Sequence, residues 1–141
     1  MAYDFEGFFA FVPGDTTRLL ADAEQQWPEA RVRAIREPFC GIGIGLIIDG
    51  NDPLADNPHA LASAYQNFVT WTCRYPEIAF VWITASCFGG RCIYLGKVLR
   101  NGAYLAREQG DGALGRLVAH LGITLGPDGY FAPFMRGYFE D

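Results

Sequence analysis

Four cysteines and two histidines are the residues through which this chain could most readily bind a metal or act as a nucleophile. Cys87 and Cys92 are separated by four residues, whereas zinc knuckles and thioredoxin-like motifs both need a two-residue gap. The sequence offers no second paired cluster of cysteine or histidine. It therefore predicts neither a metal site nor a cofactor.

Cys87 lies in the segment Ala85-Ser-Cys-Phe-Gly89, which has a slight similarity to the nucleophile segment of cysteine proteases. That pattern needs a histidine about 50 residues upstream, and His59 lies much closer than that. A glycine-rich hairpin turn explains the same residues. A disulfide between Cys87 and Cys92 is geometrically feasible across such a hairpin. In a cytosol, however, we expect reduced thiols, three of which lie in apolar segments that predict core positions.

Three glycines, at positions 41, 43 and 45, superficially resemble a dinucleotide-binding loop. That fingerprint is Gly-x-Gly-x-x-Gly between a strand and a helix. Here strict alternation with apolar residues continues, and no helix begins. The glycines instead predict one bare face of a strand, which a helix, an aromatic ring or a partner can approach closely. The alternative function is a small-molecule-binding or cysteine-dependent enzymatic domain, with this face and the Cys87 hairpin as pocket walls.

Asp49, Asp52 and Asp56 share one loop, but their spacing departs from the calcium-binding loop and lacks its terminal glutamate. A solvated acidic loop is the simpler interpretation. His59 at a helix start and His120 at a helix end leave little for general acid–base catalysis. These residues together predict a protein that is not an enzyme.

The elements that would position these residues follow the order β-α-β-β-α-β-β-β-α. Periodicity and turn signals predict strands near residues 7–12, 31–36, 39–49, 77–87, 91–100 and 103–107, and helices over about 16–27, 57–75 and 113–121. Asn101-Gly102 is a type I′ hairpin signal, and the aromatic tail 129–141 is expected to pack on the body. The sequence predicts one α+β domain over residues 1–141, with a mainly antiparallel sheet and helices packed on one side.

Length and charge restrict the partners of this domain. The chain has 141 residues and a formal net charge of −5, which disfavours nucleic acid and suits a basic protein partner. Asp4 and Glu6 stand where a signal peptide would carry positive charge, and no long apolar run follows them. We therefore expect a cytoplasmic protein that neither crosses nor binds a membrane.

Three segments resemble a pattern found in small immunity proteins, the cytosolic antitoxins of bacterial polymorphic-toxin, type VI and contact-dependent secretion systems. They are Tyr75-Pro-Glu77, then Ala85-x-Cys-Phe-Gly-Gly-x-Cys-x-Tyr-x-Gly96 with Asn101-Gly102, and finally Tyr130-Phe-x-Pro-Phe-x-Arg-x-Tyr-Phe139. The resemblance covers the second half of the chain.

The resemblance implies a non-enzymatic protein that binds a cognate toxin domain and blocks its active site. The glycines of the motif are expected to form turns, and contacts to the toxin are expected on loops. The expected contact residues are in the acidic loop and the tail: Asp49, Asp52, Asp56, Arg136, Tyr138, Phe139, Glu140 and Asp141. A further hypothesis is a subunit that pairs through the aromatic tail, so the oligomeric state stays open.

Overall fold

The chain folds around one six-stranded antiparallel sheet. A computed structural model describes residues 3–36, 39–48, 52, 54–88, 91–110, 112–126, 131–134 and 138–139. The strands are β1 (Tyr3–Phe11), β2 (Arg31–Ile35), β3 (Gly41–Ile47), β4 (Ala79–Phe88), β5 (Arg91–Arg100) and β6 (Ala103–Gly110). The helices are α1 (Thr17–Gln26), α2 (Pro58–Trp71) and α3 (Ala113–Ala119), with 3₁₀ turns at Thr72–Arg74 and Ala132–Phe134. The predicted α+β class and antiparallel sheet are confirmed.

The strand order is β2-β3-β1-β4-β5-β6, so β1 and β4 occupy the centre of the sheet. Both of these strands carry large apolar side chains on successive positions, such as Phe8 and Phe9 in β1, or Val81 and Trp82 in β4. Successive side chains of a strand point to opposite faces. The two central strands are therefore apolar on both faces, and both faces need a cover.

Helices α1 and α2 cover one face of the sheet. Phe8 is fully buried there, and its ring lies 5.1 Å from that of Trp27 and 4.6 Å from that of Phe68, measured between centroids. Asn57 caps the start of α2 by accepting a hydrogen bond from the backbone N–H of Ala60 at 3.1 Å, which satisfies one of the free donors of the first turn.

The opposite face is covered by α3 and the C-terminal tail, which corrects the prediction that all helices pack on one side. Leu117 and Val118 of α3 are buried in the same cluster as Ile83 and Val98 of the sheet. The physical reason is the two-sided apolar character of β1 and β4, since helices on one face alone would leave Phe5, Phe9 and Ile83 in water. The expected packing of the aromatic tail is confirmed for the described residues, because Phe131 and Phe139 are buried.

The glycine face of β3 is closed rather than open. A methyl group added to Gly43 would lie 2.8 Å from Cδ1 of Ile35 and 2.9 Å from Cε1 of Phe9. Side chains from the same chain therefore occupy the space that the glycines leave. This arrangement fits the expectation of a close aromatic approach and removes this face as a wall of a ligand pocket.

The turn between β5 and β6 has the backbone that its sequence predicts. Asn101 and Gly102 have φ angles of 52° and 74°, as the two central residues of a type I′ turn require. No helix in the described part of the chain is long and apolar enough to cross a membrane.

Candidate functional site

Two of the four cysteines are free, as expected, but the other two are paired, and none of the four is a buried core residue. Cys87 and Cys92 face each other across the β4–β5 hairpin and form a disulfide with a Cα–Cα distance of 4.0 Å. Cys40 and Cys73 are free and exposed. Direct cross-strand pairing brings the first two sulfurs together, and this register was not readable from the spacing alone. A free Cys87 nucleophile is therefore incompatible with this structure.

Thiol counting tests this assignment. We expect two thiols per chain to react with a maleimide in denaturant without reductant, and four after reduction, because only Cys40 and Cys73 are unpaired. The measurement is intact-mass spectrometry of purified protein that has been kept from oxidation during lysis. Four reactive thiols before reduction would contradict the disulfide.

The acidic loop does not assemble into a cation site in the described residues. Asp49 lies outside them, and Asp56 is exposed. The carboxylate of Asp52 accepts a hydrogen bond from the backbone N–H of Ile48 and lies 3.8 Å from the guanidinium of Arg31. Within the described ranges no group of three or more His, Cys, Asp or Glu side chains could hold a metal ion.

The expected contact residues of the tail are only partly described. Arg136, Glu140 and Asp141 lie outside the described residues, and Tyr138 is half-buried. Phe139 is 1% exposed, and its ring centroid lies 5.4 Å from that of Phe5. The side chain of Phe139 is thus part of the core and is not available to a partner in this conformation.

A pocket of about 340 Å³ opens between α2 and the sheet, within the size range of ligand pockets. Glu6 lies in it, beside a β-bulge at Glu6/Gly7 in the pairing of β1 with β3. Bulges re-aim side chains and are common near functional sites. The lining residues come from β1, α2, β4 and β5: Glu6, Pro58, Leu61, Ala62, Tyr65, Trp82, Thr84, Leu95, Gly96 and Lys97.

Glu6 is held in place by β4. The indole N–H of Trp82 donates a hydrogen bond to Oε2 of Glu6 at 3.0 Å, and Thr84, directly opposite Glu6 in the ladder, also donates to the carboxylate. Burial raises the pKa of Glu6 above its usual value of 4.5, and these two hydrogen bonds only partly offset that effect. Glu6 is therefore a poorly solvated acid in a mostly apolar pocket.

Tyr65 of α2 forms an aromatic wall of the same pocket. Its ring is perpendicular to that of Trp82, with 5.1 Å between the centroids. Nζ of Lys97, the sole lysine in the chain, lies 4.9 Å from the centroid of the Tyr65 ring. The ammonium–ring distance is that of a cation–π interaction.

Exposed apolar side chains extend from both ends of this pocket. Phe88, Ile93, Tyr104 and Leu105 are 75%, 56%, 56% and 55% exposed. Strand alternation and the strand register place Phe88, Ile93 and Tyr104 on the α2 side of the sheet, and Leu105 is the extra residue of the bulge next to Tyr104. We call this surface the β4–β6 face. From Ile93 to the Leu99–Tyr104 pair it runs about 20 Å at roughly 3.4 Å per residue.

The raised pKa of Glu6 predicts a pH dependence of stability. An acid whose pKa is higher in the folded state than in the unfolded state contributes stability below its unfolded value, and this contribution is lost as the pH rises through the folded pKa. We therefore expect the stability of Glu6→Gln relative to the wild type to increase from pH 4.5 towards neutrality. Urea denaturation at a series of pH values measures the difference. A difference that is constant with pH would contradict the assignment.

Sequence reasoning overlooked this pocket. Glu6 was interpreted only as an acidic residue at the N-terminus, and Trp82 and Lys97 only as strand residues. One signal was present: Glu6 shares a strand face with Phe8 and Ala10, so an acid precedes a buried aromatic run at strand spacing. The contribution of Tyr65 was not readable, because it depends on where α2 lies on the sheet.

No family model, curated protein or solved structure matches this chain.

Proposed function

We propose that this chain is an immunity protein that binds a cognate toxin domain through the β4–β6 face and occludes the active site of that toxin. The observation that carries this proposal is the exposure of Phe88, Ile93 and Tyr104 on one sheet face, with the exposed Leu105 next to Tyr104. Single exposed apolar residues are ordinary on protein surfaces. Three large ones along one face, together with an adjoining pocket, are typical of an interaction surface.

The motif resemblance and the position of this face support each other. Phe88 belongs to the segment that resembles immunity proteins, yet it is 75% exposed and makes no contribution to either core cluster. A position that only shaped the hairpin would not need an aromatic ring in water. The net charge of −5 also favours association with a basic toxin domain.

Co-expression tests the proposal. The chain is expressed in bacteria together with each candidate toxin gene from the neighbourhood of its own gene, with the candidate under separate induction. We expect growth to be rescued and the two proteins to co-purify as a stable complex. Absence of both growth rescue and co-purification would contradict the proposal. Growth rescue while active toxin remains unbound in the lysate would exclude occlusion of its active site.

A second candidate function is the binding of a free small molecule, and the pocket that contains Glu6 favours it. Its volume of about 340 Å³ lies near the lower end of the range for small-molecule sites, so it suits a small ligand. Native mass spectrometry of protein purified from the source organism tests this function. A bound metabolite that is lost on denaturation would support it, and protein of the apo mass throughout would contradict it.

A further inference from the structure

Glu6 is a partly buried carboxylate without a cation beside it. Its hydrogen-bond donors are the neutral side chains of Trp82 and Thr84. No arginine, lysine or histidine nitrogen in the described part of the chain lies within 4.0 Å of its carboxylate. Charged groups that lose water are normally paired or neutralised. A cation entering the pocket would supply the missing partner.

The walls of the pocket suit a cation carried on an aliphatic stem. Tyr65 and Trp82 present aromatic rings at right angles, and the position of Lys97 shows that the Tyr65 ring accepts a cation at 4.9 Å. Leu61 and Leu95 add aliphatic surface. Arginine combines these needs, because its planar guanidinium stacks on rings, matches a carboxylate and is less strongly hydrated than an ammonium.

The pocket lies in the middle of the β4–β6 face. Leu95 and Lys97 line it, and they lie on β5 between Ile93 on one side and the Leu99–Tyr104 pair on the other. Residues that dominate binding energy cluster near the centre of interfaces in desolvated pockets, and arginine is enriched among them. The geometry therefore places an anchor site where the largest contribution to affinity is expected.

We infer that the pocket formed by Glu6, Tyr65 and Trp82 receives an arginine side chain of the toxin partner, with the guanidinium on the carboxylate of Glu6 and the stem against Leu61 and Leu95. This inference rests on the proposed function, because it names the group that the partner presents to the β4–β6 face. Lys97 occupies the Tyr65 ring and repels the incoming guanidinium. Its ammonium group therefore opposes arginine binding unless the side chain changes its conformation.

The probe for the pocket is n-butylguanidinium chloride, with n-butylurea as its neutral counterpart. Binding is followed by the indole N–H signal of Trp82 in a ¹H–¹⁵N spectrum, and the buried indoles of Trp27 and Trp71 serve as internal controls. We expect a saturable shift of the Trp82 signal by butylguanidinium with a Kd on the order of millimolar, as fits a probe of this size. Butylurea is expected to produce no saturable shift.

Three variants test how the charges of the pocket affect butylguanidinium binding. Glu6→Gln is expected to weaken butylguanidinium binding at least about tenfold, whereas Glu77→Gln, which removes the same charge from an exposed turn, leaves it unchanged. Lys97→Met removes the competing cation and is expected to strengthen binding about threefold or more. Weaker binding in Lys97→Met, or a Trp82 shift that appears with butyrate instead, would overturn the inference in favour of an anion site.

Measuring toxin affinity distinguishes a failure of this inference from a failure of the proposed function. If wild-type protein binds the toxin, Glu6→Gln is expected to lose at least about tenfold in affinity and Glu77→Gln none. Equal affinities for the wild type and Glu6→Gln would overturn the arginine anchor and leave the immunity function intact. Absence of toxin binding by the wild type would overturn the proposed function, and butylguanidinium binding would then indicate a free organic cation as the ligand.

Discussion

Replacement of Phe8 by alanine is expected to lower the free energy of unfolding by about 3–5 kcal/mol. Phe8 is fully buried on the central strand β1, and the space left by its ring would be bounded by rings that are fixed by their own contacts. The ring of Phe8 lies within 6.2 Å of five others, measured between centroids: Trp27, Phe68, Trp71, Phe80 and Trp82. Urea denaturation followed by tryptophan fluorescence and circular dichroism measures the change.

Phe88→Ala is the matched control, because it deletes the same atoms from a side chain that is 75% exposed. Its stability is expected to stay within about 0.5 kcal/mol of the wild type. If Phe8→Ala lowered the free energy of unfolding by no more than Phe88→Ala does, the sheet face covered by α1 and α2 would not be a packed core.

The double variant Ile93→Asp/Tyr104→Asp is expected to weaken toxin binding at least about 100-fold, which corresponds to about 2.7 kcal/mol. The two side chains lie on opposite sides of the pocket on the β4–β6 face, and a carboxylate at each position would have to lose water against an apolar surface of the partner. Calorimetry or biolayer interferometry with an inactive toxin variant measures the affinity.

Phe11→Asp provides the control for this experiment. Phe11 is also an exposed aromatic residue, at 40%, but strand alternation in β1 places it with Phe9 on the α3 side of the sheet. We expect the toxin affinity of Phe11→Asp to equal that of the wild type. Equal losses in the double variant and in Phe11→Asp would show that the β4–β6 face is not the contact surface.

The elements themselves were predictable because each has a local physical signal. β5 spans Arg91–Arg100, as predicted, because a glycine pair precedes it and an Asn-Gly turn follows it in the sequence. α2 begins at Pro58, one residue after the predicted start, because Asn57 caps the helix and proline is favoured in its first turn. β6 extends to Gly110, beyond the predicted end at residue 107, because pairing with β5 holds polar residues that lack strand propensity.

The placement of elements relative to one another was not predictable in the same way. The side of the sheet on which α3 lies depends on its packing against β5, which no local pattern reports. The partner of Cys87 depends on hairpin register, and the environment of Glu6 depends on a bulge and on α2. Each of these features results from contacts between residues far apart in sequence. The candidate pocket was overlooked for this reason, and the turns and strands were not.

The central position of β1 has a consequence for how the protein is made. Glu6 of this strand is hydrogen-bonded to Trp82, 76 positions later in the chain, so the middle of the sheet cannot assemble until β4 has left the ribosome. β1 can pair with β3 before that point, but its other edge lacks a strand partner until β4 has been made. Such long sequence separations slow folding towards the millisecond-to-second range. The two halves of the sheet, β2-β3-β1 and β4-β5-β6, are thus joined by a pairing of strands that lie far apart in the chain.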